Sequence, residues 1–273
     1  MMNLLRTEWL KIKKYAAFWL IISVTALSYP GISWIFRQGY KDLGRRKDGG
    51  AQVLKMLLGD PFSLPEAWHT LAYSSSLFVF IPAVVIIMFI SNEYSYKTHR
   101  QNIIDGWSRD QFMLAKMLNV IIVSLMVTLL YAVVTLIIGL TNGPNIDPNL
   151  NKWSQLYYIG LFALQTFSQL SIAFLIGFLV RKAFLSLGIF LFYFLILENV
   201  LVGLGTYYKI SGYKYLPIEI SDRMIPPPAF WGRLDKDNYL KEMSEINSHV
   251  IYTIILTAFF WVLCFWINKK RDL

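Results

Sequence analysis

The chain is 273 residues long, 56% hydrophobic and only 16% charged, with a formal net charge of +9 and a mean hydropathy of +0.47. Soluble domains carry about 25% charged residues, so this composition rules out a disordered chain and argues against an ordinary water-soluble enzyme. A single cysteine, Cys264, leaves no intrachain disulfide, and in a chain this apolar the basic excess suits anionic headgroups and helix ends rather than nucleic acid.

Residues 1–14 read as an amphipathic helix lying in the membrane interface. At 100° per residue Leu5, Trp9 and Ile12 share one arc, with Arg6, Lys11 and Lys14 away from it, while Glu8 and Leu10 interrupt the pattern. Six apolar runs follow, at Tyr15–Phe36, Leu71–Ile90, Phe112–Leu140, Leu156–Val180, Ala183–Leu204 and Val250–Ile267. Each is long enough to cross a hydrocarbon core of about 30 Å as a helix. The first is too long for a signal-peptide core. The expected fold is therefore an all-α integral membrane protein, with the whole chain, 1–273, forming one transmembrane domain.

An even number of spans puts both termini on one side. The short basic clusters Lys11–Lys14, Arg181–Lys182 and Lys269–Arg271 then make that side cytoplasmic. The segments 37–70 and 205–249 become extracytoplasmic loops. Pro82 is expected to kink the second span, and Ser63–Glu66 has the spacing of a capping box. In the segment between spans two and three, Ser91–Glu93 is expected to start a short helix and Gly106 to stop it. Ser108 and Gln111 then have capping-box spacing for the next helix, flanked by Trp107 and Phe112 as a staple. In the last loop, Pro226–Pro228 prevents helix, and Tyr239, Met243 and Ile246 recur at the spacing of a short helix feeding the last span.

Chemistry is mostly missing. His69, His99 and His249 fall on both faces of this topology and cannot form one metal site, so no metal ligand set is expected. Neither a Gly-x-Ser-x-Gly elbow nor a phosphate loop is present, so no cofactor is expected on this chain. Glu198 is the one acid well inside an apolar run. An intramembrane carboxylate is costly and by default raises a functional hypothesis; the alternative is that Glu198 caps a neighbouring helix.

Two stretches carry a family likeness. Leu4–Lys14 (LLRTEWLKIKK) running straight into a span resembles the opening of permease subunits of the type-2 ABC exporter family. Ser91–Arg100 (SNEYSYKTHR), followed by Gly106–Phe112 (GWSRDQF) and a long third span, resembles that family's first cytoplasmic loop. The resemblance implies six spans, an interfacial connecting helix at 2–14 and a coupling helix in 91–107. It also implies a second permease subunit, identical or not, and a separate ATPase that carries the ATP and magnesium. On this reading Glu93, Lys97 and Arg100 make polar contacts with the ATPase, Tyr94 or Tyr96 is the buried anchor, and Trp107 fixes the corner. The competing classes are a secondary transporter and a structural or sensory membrane subunit; the first would be expected to show polar, interrupted spans at the midplane.

Overall fold

The computed structural model describes residues 8–11, 13–45, 61–104, 106–141, 151–228 and 236–270, and among these residues there are helices and turns but no strand. A helical segment at 8–11 and 13–14 breaks at Tyr15. Then come α1 (Ala16–Arg45), α2 (Glu66–Ser76), α3 (Phe80–Ser95), α4 (Thr98–Ile104), α5 (Arg109–Thr141) and α6 (Tyr157–Val180). The chain continues through α7 (Ala183–Phe192), α8 (Glu198–Tyr207), α9 (Pro217–Asp222) and α10 (Lys236–Lys270). A π-helical turn, Tyr193–Leu197, joins α7 to α8, making one stretch of membrane-spanning length. In all, five helical stretches are long and apolar enough to cross a membrane, and the bent pair α2–α3 makes a sixth if it crosses as one broken span.

That pair bends by 49°, and the cause is Pro82, acting one turn upstream of itself. Proline has no N–H for the Phe78 carbonyl, and its ring crowds that carbonyl. The helix therefore ends at Ser76 and restarts at Phe80, with Pro82 in the first turn of α3. A kink at Pro82 within a continuous 71–90 helix was expected; the break falls at 77–79 instead. The Ser63–Glu66 capping box does not form either. Helix α2 starts without a side-chain cap, and the Glu66 carboxylate accepts the Gln155 amide at 3.1 Å, which ties α2 to the start of α6.

The last element is also longer than its apolar run suggested. Helix α10 is 35 residues without a break, so the expected short feeder helix and the last span are one rod. At about 1.5 Å per residue it exceeds one bilayer thickness.

Helix α6 sits at the centre of the bundle. Of its most apolar window 56% is buried, against 11% for the α7–α8 stretch. Close approach of α3 to α6 depends on Gly177, where an added Cβ would lie 2.6 Å from Ile90 Cγ2 and 3.4 Å from the Ile87 Cα. Small residues at such crossings let membrane helices meet backbone to backbone.

The turn Arg181–Lys182 takes the tight form expected. Arg181 is left-handed (φ 61°) and donates its amide to Gly177 O at 3.0 Å. Its guanidinium lies 4.6 Å from the Tyr94 ring centroid. At the same end, Arg109 donates to Lys269 O at 2.7 Å, Asn268 Nδ2 to Arg109 O at 2.8 Å, and Lys269 pairs with Asp110 at 3.1 Å. The first and last described segments thus gather at one end of the bundle.

Gly177→Val is expected to lower stability by about 1–3 kcal/mol through overpacking, whereas Gly188→Ala, with nothing within 4 Å of the added carbon, leaves it the same or raises it by up to about 1 kcal/mol through helix propensity. Thermal unfolding in detergent, followed by tryptophan fluorescence, separates the two.

Candidate functional site

The segment between α3 and α5 is built as two rigid corners around a short helix. At the first, Tyr96 and Lys97 donate their amides to Asn92 O and Tyr94 O, and Lys97 turns the chain in the left-handed region (φ 57°). Helix α4 therefore starts at Thr98, not at Ser91–Glu93, which form the last turn of α3. At the second corner Gly106 (φ 96°) ends α4. Its amide reaches Ile103 O at 3.0 Å and the Trp107 amide reaches Asn102 O at 3.0 Å, the paired bonds of a Schellman ending, which favours glycine at the left-handed position. The Ser108–Gln111 capping box then opens α5, with Ser108 N donating to Gln111 Oε1 at 2.9 Å and Gln111 N to Ser108 Oγ at 3.1 Å.

Behind α4 lies a buried ionic cluster. Lys116, on the first turns of α5, has a side chain 4% exposed and is bracketed by Glu8 Oε2 at 2.7 Å and Glu93 Oε1 at 2.5 Å. Asn119 Nδ2 donates to the same Glu8 oxygen at 2.5 Å. Lys11 closes the ring from outside, 3.0 Å from Glu8, 3.5 Å from Glu93 and 3.4 Å from Asn102 Oδ1. Four chain segments are tied here: the N-terminal segment, the end of α3, α4 and α5. Burial by itself would raise the Glu8 carboxyl, but the Lys116 and Lys11 charges and the Asn119 bond outweigh it and hold Glu8 below its ordinary 4.5. On α4, burial together with Arg100 and Arg181 lowers the His99 imidazole, against the bond to the Glu93 carbonyl, so the ring is neutral at pH 7. A cavity of about 240 Å³ adjoins the cluster, with Tyr15, Phe89 and Tyr96 in its wall.

At the opposite end of the bundle, the segment after α8 folds back inward. Glu198 is 3% exposed, and its Oε1 accepts the amides of Ile218 and Glu219, both at 2.7 Å. These are orphan donors of the first turn of α9, which begins at Pro217. At the other end of α9, Asp222 Oδ1 accepts Gln165 Nε2 and Gln169 Nε2, each at 2.7 Å. Both glutamines lie on α6 and are buried. Asp222 itself is exposed. Further along α6, Thr257 Oγ1 donates to Ser168 Oγ and Trp261 Nε1 to Ser171 Oγ, both at 2.9 Å, joining α10.

Residues 4–197 match the family model described as ABC-2 family transporter protein. The chain belongs to the ABC-2 transporter family. It is a multi-pass membrane subunit of a transporter, and the expectation drawn from Leu4–Lys14 and Ser91–Phe112 holds at the level of the family. No curated protein matches it. The matched segment contains the whole ionic cluster and ends one residue before Glu198.

Of the residues singled out in the sequence of this ABC-2 chain, Lys97 and Arg100 are exposed, and Tyr96 is 77% exposed. Tyr94 instead packs inward against His99, Phe178 and Arg181. Glu93 belongs to the internal cluster, and Trp107 takes the Lys11 ammonium 5.7 Å from its ring centroid. Leu5 and Ile12 lie outside the described residues. Among the described residues of the N-terminal segment Glu8 is buried and Trp9 is 37% exposed.

Ile104, 84% exposed at the end of α4, was not visible as a surface residue from sequence. Lys116 and Glu8 were visible only as a charge count and a blemish in a helix. The Gln165–Ser171 polar face was overlooked because single polar residues in an apolar run do not say what they meet.

Lys116→Met is expected to cost about 3–5 kcal/mol, since it leaves two carboxylates buried without their cation. The same change in a Glu8→Gln background costs clearly less, which a double-mutant cycle by thermal unfolding detects. Because the folded Glu8 value is depressed, its stabilising contribution is complete above pH 4.5 and is lost as pH falls through the lowered value.

Proposed function

We propose that this chain is the membrane-spanning permease of an ATP-driven exporter, coupled through α4 to a separate ATPase subunit that binds ATP and magnesium. The supporting observation is the way α4 is held. Its two corners fix its orientation, and the Lys116 cluster joins its neighbours α3 and α5 to the N-terminal segment. A push on α4 therefore moves the base of α5 and the N-terminal segment together, where a loose loop would absorb it. Tyr96, Arg100 and Ile104 expose aromatic, cationic and aliphatic groups along this segment, and aromatic residues and arginine in particular anchor interfaces.

On this reading the bent pair α2–α3 is the second of six spans, and the N-terminal segment is the interfacial connecting helix with Trp9 and Leu10 toward headgroups. The cell membrane holds both termini on its cytoplasmic side, with Lys11, Arg181, Arg109 and Lys269 at that end. Two permease subunits, identical or different, form the pathway. The long apolar face of α7–α8, mostly uncovered within one chain, is available to the second subunit as well as to lipid.

Co-purification with the ATPase and stimulation of its activity in nanodiscs test the reading. Ile104→Asp and Tyr96→Ala are each expected to weaken ATPase binding by about tenfold or more, with folding unchanged. Retention of a fully stimulated ATPase by a properly inserted Ile104→Asp/Tyr96→Ala chain overturns the α4 contact. In a Cys264→Ala background, a cysteine at Lys209 is expected to label in intact cells and one at Ser95 only after permeabilisation. The reverse pattern overturns the orientation.

A further inference from the structure

The inward-folded segment after α8 leaves two cavities that share a wall. One, about 280 Å³, is bounded by α2, α9, α10 and the Pro226–Pro227 strand of chain; the other, about 180 Å³, lies between α2, α8, α9 and the π-helical turn. Ser76, Leu77, Glu219 and Asp222 line both.

The charge in these walls is out of balance. Four carboxylates face the cavities: Glu198, Glu219, Asp222 and Glu242. Arg223 is the one Arg or Lys among the lining residues, and it is engaged with Glu219 at 2.6 Å. None of the other three forms a salt bridge among the described residues, although the Arg223 charge also reaches Glu242. Asp222 is held by neutral glutamine amides through Oδ1 alone, so its Oδ2 has no hydrogen-bond partner among the described residues, and the exposed side chain lines the cavity. Glu198 spends Oε1 on the α9 amides, and its Oε2, fully buried, has no hydrogen-bond partner; the nearby Tyr193 phenol interacts with it without a well-formed bond. His249, 6% exposed in the wall of the larger cavity, has no well-formed bond at Nδ1, with the Glu245 backbone near its ring. Of these groups Glu198 and His249 are buried, whereas Asp222 is exposed and Glu242 half-buried, and a buried polar group left unpaired is costly. Leu77, Val202 and Ile225 give the same space an apolar surround, and sites of this size and mix hold small organic groups.

We propose that this double cavity is a binding site for an organic cation, an ammonium or guanidinium group on an apolar stem, with Asp222 as its counter-ion and Glu242 and Glu198 as supporting acids. The site rests on the exporter reading for its meaning as a substrate site, not for its chemistry. All three of its acids, Glu198, Asp222 and Glu242, come from the part of the chain beyond the family match.

The test is equilibrium binding to the full chain in nanodiscs without ATPase, using the fluorescent primary amine monodansylcadaverine and its uncharged N-acetyl derivative, with empty nanodiscs subtracted. Saturable binding of the amine is expected, with the acetylated form at least tenfold weaker. Asp222→Asn keeps an oxygen for both glutamine amides, so the fold is retained, and it is expected to weaken amine binding at least tenfold. Glu242→Gln weakens it several-fold and serves alone if Asp222→Asn melts early. Glu245→Gln, which removes a carboxylate paired with Lys214 outside the cavity wall, leaves it unchanged.

Equal binding of the amine and its acetyl derivative, absence of saturable binding, or full affinity in Glu242→Gln and a folded Asp222→Asn overturns the proposal. Nanodiscs with and without phosphatidylethanolamine separate two sources of the same chemistry. Competition by that lipid assigns the site to a headgroup amine, and indifference assigns it to a free one. Because no ATPase is present, a negative result bears on the cation site alone, while failed ATPase co-purification bears on the exporter reading alone.

Discussion

A lysine ammonium buried at the foot of a membrane helix must be paired, and the end of the bundle that holds α4 is organised around that requirement. Lys116 is nearly sealed from solvent, and water cannot repay its desolvation. Glu8 and Glu93 arrive from segments 108 and 23 residues away in sequence to do so. Because each acid belongs to a different element, satisfying one charge also fixes where the N-terminal segment, the end of α3 and the base of α5 stand relative to one another. The two corners around α4 add orientation at little cost, since a Schellman ending and a capping box use backbone groups that would otherwise be orphaned.

The other end follows the same rule with weaker bonds. In an apolar bundle polar groups on α6 need partners; the amide nitrogens of Gln165 and Gln169 and the hydroxyls of Ser168 and Ser171 find theirs on α9 and α10, while Gln165 Oε1, Gln169 Oε1 and Thr166 Oγ1 have none among the described residues. Helix α9, only six residues long, has almost no intrinsic stability. It is held at its start by Glu198 and at its end by the α6 glutamines. That double anchorage brings a polar segment against the spans and leaves the acid-lined space beside it. The π-helical turn just before Glu198 shifts the register of the α7–α8 stretch, a feature that often marks functional positions in membrane helices.

Some elements were legible in the sequence down to single hydrogen bonds. The Ser108–Gln111 box, the Gly106 stop and the Arg181–Lys182 turn follow from local chemistry, where spacing of a few residues decides which backbone groups are satisfied. The start of α4 was not legible, because Lys97 takes the left-handed conformation that local rules reserve for glycine or asparagine, with the Tyr96 and Lys97 amides bonded back to Asn92 and Tyr94 at that corner. The break at 77–79 was half legible: Pro82 announced a disturbance, and sterics against the preceding turn moved it upstream. The Ser63–Glu66 box was a false signal, since Glu66 had a better use in the bond to Gln155.

What the sequence alone determined was the class of molecule: apolar runs of bilayer length, basic residues at the short turns, and two stretches that resemble the ABC-2 family. These are local or compositional properties, and they survive any arrangement of the helices. What only tertiary structure decided was the partnership of the charged and polar side chains. Glu8 read as a flaw in an amphipathic face and Lys116 as one more basic residue, because nothing within a few positions of either reveals the other. Glu198 read either as a functional acid or as the cap of a neighbouring helix, and only the fold showed that the helix is α9, which offers it two amides. A buried charge is defined by what surrounds it, and that is set by contacts across the whole chain.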